Sequence, residues 1–232
     1  MHFDRGMWDK RHDDMCAHCG EGLDTRHTRD HAPSRVLLDD PFPPDIPNVP
    51  SCRPCNESFS RDEEYLACIV ECAIVGTTDP DRVSREKVAR ILRKNVDLAT
   101  SLSQARTEKD GRVAFAMETH RVRNVVLKLA RAHARFELSE SQLEDPSGLV
   151  VMTLPLLTEG AREAFEAPPP AQIFPEVGSR AMQRLVVSST GSSLRDWVVV
   201  QPARYRYLVV YDSGVTVKLV LSEFLGCEVT WE

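Results

Sequence analysis

The sequence predicts an α+β protein in three parts: a cysteine-stapled segment, a helical middle and a small C-terminal antiparallel β region. Two Cys-x-x-Cys pairs, "CAHC" and "CRPC", bracket a stretch dense in Pro, Asp and Ser. Apolar residues then recur at helical spacing from Ser60 to Leu138. Beyond "EDPSG" the texture turns rich in Val, Tyr and Trp, with a turn signal at "YDSG". The expected division is an irregular lead-in over 1–15, the stapled module over 16–78, a helical region over 79–145 and the β-rich region over 146–232.

A chain of 232 residues with 42% hydrophobic content has enough apolar surface for an ordinary core. Its net charge of -6 argues against whole-surface attraction to nucleic acid, so any such contact must be local. No apolar run reaches the length of about 18 residues that a membrane helix needs. "MHFDRGMWDK" is charged where a signal peptide would be apolar, so a cytoplasmic location is expected.

In the first part, Cys16 and Cys19 are separated by two residues, as are Cys52 and Cys55. Each pair forms a knuckle that points two thiolates at one ion, and two knuckles complete a closed tetrahedral site suited to zinc. Four thiolates leave no open position for water, so this zinc is expected to be structural. Between the pairs, "DDPFPPDIPNVP" is too proline-rich for helix or central strand, and a metal is the natural source of its stability. His18, inside the first knuckle, is expected to be exposed.

The stapled module closes with "SRDEEYLACIVECAIVG": Ser60 is placed to cap a helix, Glu63 completes a capping box, and Gly76 ends it. Cys68 and Cys72, four apart on that helix, read as buried free thiols. "DPDRVSREKVARILRKNVDLATSLSQAR" predicts one further helix. "METHRVRNVVLKLARAHARFEL" is the most amphipathic segment. Val122, Val125, Leu129, Ala132 and Phe136 form its core stripe; Arg121, Asn124, Lys128, Arg131 and Arg135 form a polar one, either a solvated face or a phosphate-binding ridge.

In the last part, "LVVMTLPLL", "QRLVVSS", "DWVVVQPARYRYLVVYDSGVTVKLVLSEF" and "CEVTW" read as strands. Alternation puts Tyr205 and Tyr207 on one face, where they either pack in the core or stack on single-stranded bases.

The first part resembles a family. "CAHC", then "TRDHAPSR", then "VPSCRPCN" is similar to the zinc-stapled, four-cysteine branch of the HNH endonucleases, including uncharacterised bacterial HNH-like proteins. The likeness covers roughly residues 16–66 and implies a ββα-metal module. It implies His31 as the general base that deprotonates water, and Asp30 as a ligand of a catalytic Mg²⁺ or Mn²⁺ ion. Asn56 would orient the His31 ring or pin the loop. The family's last His or Asn is absent, since Glu64 and Tyr65 stand there. Asp62 and Glu63 are the available substitute ligands, or simply acids that favour a helix N-terminus. Arg26, Arg29 or Arg35, with the stripe at Arg121, Lys128 and Arg131, would grip phosphates. The implied activity is metal-dependent hydrolysis of nucleic acid, with DNA favoured over RNA. The alternatives are an inactive zinc-stapled module binding nucleic acid or protein, or an adaptor presenting its β region.

Overall fold

The structure, a computed structural model, describes residues 13–24, 27–167, 176, 178–182 and 197–232. It is mixed α+β, with six α-helices among the described residues and a C-terminal antiparallel sheet.

Two short strands, β1 (Thr28–His31) and β2 (Asn48–Ser51), pair antiparallel and lead into α1 (Arg53–Ser58) and α2 (Ser60–Val75). The expected capping box does not form. Cys52 is the N-cap of α1, and Phe59 at the α1–α2 boundary has helical φ and ψ of -84° and -23°, so Ser60 continues a helical path rather than starting one. Gly76 ends α2 in the left-handed region at φ 73°, where a residue without Cβ is unstrained. Cys68 and Cys72 are buried free thiols, each pushed up to about 12 by burial.

The single helix expected after Asp79 is two helices, α3 (Glu86–Lys94) and α4 (Val96–Ala105). Asn95 breaks them apart because its side chain accepts the Leu98 N–H as the cap of α4. A hairpin follows that sequence reading missed, β3 (Arg106–Lys109) and β4 (Arg112–Phe115). It turns at Asp110 and Gly111, both with positive φ, as a tight two-residue hairpin turn requires.

Helix α5 (Thr119–Leu138) is the long amphipathic segment, and its stripe of Val122, Val125, Leu129 and Ala132 is buried. It packs against α2 and β2 and against the C-terminal sheet. That sheet contains β5 (Gly148–Thr153), β6 (Val198–Gln201), β7 (Tyr205–Tyr211), β8 (Val215–Leu221) and β9 (Leu225–Trp231), in the order β5-β9-β8-β7-β6. Along β8, Val215, Val217, Leu219 and Leu221 point into the main core. Val220 points to the opposite face, against Leu154 and Phe165 of α6 (Glu159–Glu166). The segment "QRLVVSS", read as a strand, lies outside the described residues, as do most of the lead-in and the proline-rich connector.

Asp39, in the loop after β1, joins the stapled segment to the rest. Its carboxylate takes Arg85 Nε at 2.7 Å and Arg204, and the Gln201 side chain bonds its backbone N and O.

Candidate functional site

The knuckles bring the Cys16, Cys19, Cys52 and Cys55 sulfurs within 4.8 Å of one another. Zinc–thiolate bonds of about 2.3 Å in a tetrahedron place sulfurs about 3.8 Å apart, and Cys19 Sγ and Cys52 Sγ are 3.8 Å apart. The donor set fits a metal ion such as zinc. Burial raises the Cys16 thiol, yet the backbone N–H groups of Cys52, His18 and Cys19 outweigh this and bring it down to about 6. A thiolate is therefore favoured at Cys16, while burial pushes the Cys19 and Cys55 thiols up.

Strand alternation sorts the residues between the knuckles. Asp30 faces inward and is 4% exposed, while Arg29 and His31 face the other way. Inside, Asp30 Oδ2 meets His18 Nε2 at 2.8 Å and Asp30 Oδ1 lies 2.8 Å from Lys128 Nζ of α5. Lys128 Nζ also donates to Glu63 Oε1 at 2.7 Å and to the His31 carbonyl at 3.0 Å. Three oxygens surround the ammonium, as many as it has protons. Its side chain is fully buried, and the paired carboxylates compensate for its desolvation. Burial alone would raise the Asp30 carboxyl, but the His18 hydrogen bond and the Lys128 charge hold it below the usual carboxylate range.

These contacts relocate several expected residues. His18 is buried at 5% exposure, because its ring orients Asp30 and packs edge-on against Phe59. Asp62 does not join Asp30: its two oxygens accept from Arg121 Nε at 2.7 Å and Asn124 Nδ2 at 2.8 Å. Glu63 does reach the Asp30 cluster, through Lys128 rather than through a metal. Asn56 pins the hairpin, donating from Nδ2 to Thr28 Oγ1 at 3.0 Å, and does not contact the His31 ring.

The polar stripe of α5 is spent inside the molecule. Arg121 binds Asp62 and the Arg61 carbonyl, Lys128 is enclosed, and Arg131 donates to the Leu143 and Glu144 carbonyls at 2.9 and 3.0 Å. Tyr205 and Tyr207, each 1% exposed, are core residues that no nucleobase can reach. Arg26 lies outside the described residues.

Facing outward are His31, Arg35 and Lys87, the last paired with the exposed Asp40 at 3.7 Å. The half-buried His31 ring makes no hydrogen bond among the described residues, and burial followed by the nearby Arg35 charge holds its imidazole below the usual histidine range. Arg35 is exposed, with its guanidinium carbon 5.5 Å from the Phe42 ring centre; Lys87 Nζ stands 4.2 Å from the same centre.

Sequence reasoning missed the Lys128 bridge and the His18 contact. Lys128 shares its spacing with Arg121, Arg131 and Arg135 on the polar stripe, and nothing in that spacing singles out the cation that becomes enclosed. Among the described residues no helix is long and apolar enough to cross a membrane. No family model matches the chain, and no curated protein or solved structure matches it either.

Proposed function

We propose that the chain is a zinc-stapled nucleic-acid-binding module that engages phosphates on the outer face of the β1–β2 hairpin and does not cleave them. The observation that carries this reading is the division of β1: Asp30 is turned inward onto a resident ammonium, while Arg29 and His31 are turned outward beside Arg35. The carboxylates that a hydrolytic divalent ion would need are thus already paired with a resident cation, whereas the Arg35 guanidinium remains on the surface. Zinc at the four cysteines has a structural role here, holding the hairpin in its fold. DNA is the first partner to test, because an exposed guanidinium contacts a phosphate backbone without reading bases.

One observation favours a second reading, phosphodiester hydrolysis with His31 as base. The His31 ring is biased to its neutral form and has no hydrogen bond among the described residues, the state a general base requires.

Fluorescence anisotropy with labelled duplex DNA and single-stranded RNA, across a salt series with and without Mn²⁺, tests the first reading. Binding should not depend on Mn²⁺, and Arg35→Ala should reduce the log–log salt slope by about one. Supercoiled plasmid should stay intact throughout. Absence of binding at low salt would refute the proposal; Mn²⁺-dependent nicking lost in His31→Ala would establish the second reading instead.

A further inference from the structure

We infer that Lys128 is a built-in counter-cation standing where a divalent ion would otherwise sit, so that the inner oxygen cluster is closed to Mg²⁺ and Mn²⁺ in this chain and opens when the ammonium is withdrawn. The inference concerns the inside of the hairpin and holds whether or not the outer face binds nucleic acid.

The donors are those a hard cation prefers: two carboxylates and a backbone carbonyl. Asp30 Oδ1, Glu63 Oε1 and His31 O lie 2.8, 2.7 and 3.0 Å from one point, and that point is Lys128 Nζ. Divalent ions bind such oxygens at about 2.0–2.6 Å, so a small inward shift would supply three of a metal's inner contacts. His18, hydrogen-bonded to Asp30 Oδ2, keeps the other oxygen aimed at this point. The misfit with a divalent ion is one of occupancy and charge. The ammonium fills the centre, all three oxygens are committed to it, and a second cation would meet it at contact distance inside a buried site.

The disposition of Asp62 supports the same conclusion. Held by Arg121 and Asn124, it supplies no further carboxylate to the cluster. Two carboxylates and one lysine make a satisfied set; two carboxylates without it make an unpaired pair that calls for a cation.

The test compares zinc-loaded wild type with Lys128→Met, which keeps chain length and apolar packing but lacks the charge. Mn²⁺ is the probe, followed by the loss of its free-ion paramagnetic resonance signal and by thermal melting. Thiolate sites disfavour Mn²⁺, so the four cysteines do not interfere. Wild type should leave the signal and its melting temperature unchanged. Lys128→Met should take up one Mn²⁺ per chain, on the order of a hundredfold or more tighter than wild type, with a raised melting temperature. Adding Asp30→Asn to Lys128→Met should abolish the uptake. If Lys128→Met folds only when refolded with Mn²⁺, the inference is supported in its strongest form. Stoichiometric Mn²⁺ uptake by wild type that is lost in Asp30→Asn would overturn it. So would a folded Lys128→Met that ignores Mn²⁺. A Lys128→Met that stays unfolded in Mn²⁺, while Lys128→Met/Glu63→Gln folds, would overturn it as well.

Discussion

Helix α5 packs against two regions that bury polar groups in opposite ways. Toward the cysteine-stapled hairpin it presents Lys128, a full charge enclosed by two carboxylates and a carbonyl. About a turn and a half further on it presents His133, and about a turn beyond that Glu137, to the C-terminal sheet. There His133 Nε2 lies 2.8 Å from Tyr205 Oη, its ring stacks 3.7 Å from that of Tyr207, and the Tyr207 hydroxyl donates to Glu137 Oε1 at 2.5 Å. The hairpin has four-residue strands and little apolar surface, so its order is expected to depend on the Lys128 ion pairs and on a metal at the four cysteines. The sheet's three central strands each have seven residues with core faces of Val, Leu and Tyr, and its polar contacts refine a burial that is already favourable. Stability is therefore expected to be separable along one helix.

The widest separation should come from removing the metal. Zinc binding to small four-ligand sites contributes about 10–16 kcal/mol near neutral pH, comparable to the whole stability of a typical domain. Chelation, or Cys16→Ser, should strip hydrogen-exchange protection from β1, β2 and α1 while β7, β8 and β9 keep most of theirs. Equal loss in both regions would show that they form one cooperative unit and break the comparison.

Next comes the ammonium. Removing one partner of a buried ion pair costs about 3–5 kcal/mol, so Lys128→Met without added divalent ions should lower stability by that order in urea unfolding. Lys128→Met/Glu63→Gln should recover part of the loss, and a double-mutant cycle gives the coupling directly. On the sheet side, Tyr207→Phe removes only a neutral donor and should cost about 1–3 kcal/mol.

Acid should act on both regions, through different groups. Burial, with the Lys128 charge adding to it, holds His133 well below its ordinary 6.5, so the folded state keeps it neutral while the unfolded chain takes up a proton. Its contribution is present above that ordinary value and is lost as pH falls below it, by up to about 1.4 kcal/mol per pH unit. Asp30, also depressed in the folded state, contributes above its ordinary 3.8 and loses that contribution at lower pH. His31 shares the direction of His133. Urea midpoints measured through mildly acidic pH should therefore fall less steeply for His133→Gln than for wild type. An unchanged slope would remove His133 from the account.

Much of this was legible locally. The cysteine spacing predicts the tetrad, the stripe of Val122, Val125 and Leu129 predicts α5, and "YDSG" predicts the turn between β7 and β8, because each Cys-x-x-Cys pair, the stripe and the turn is a pattern of near neighbours in sequence. Two errors were also local. Asn95 carried a cap signal inside a run read as one helix, and Asp110-Gly111 carried a hairpin signal inside a region read as helical. The Lys128 cluster belongs to a different class. Its ammonium meets oxygens 65 and 97 residues earlier in the chain, and no periodicity reports which buried charge will find which partner. The family likeness implied Asp30 as a metal ligand and gave no sign that a helix far along the chain places an ammonium beside it.

The smallest expected effect is a control that touches neither region. Asn95 accepts the Leu98 N–H at 3.1 Å between α3 and α4, away from both the cysteines and the sheet. Losing an N-cap costs about 1 kcal/mol, so Asn95→Ala should lower the urea midpoint slightly with an unchanged slope. Because the cap satisfies only the first turn of α4, exchange should quicken there and leave β1, β2 and β7 to β9 as they were. If Asn95→Ala instead weakens the hairpin as much as Tyr207→Phe weakens the sheet, the helical middle transmits strain between them. The two modes of burial along α5 would then be coupled rather than separate.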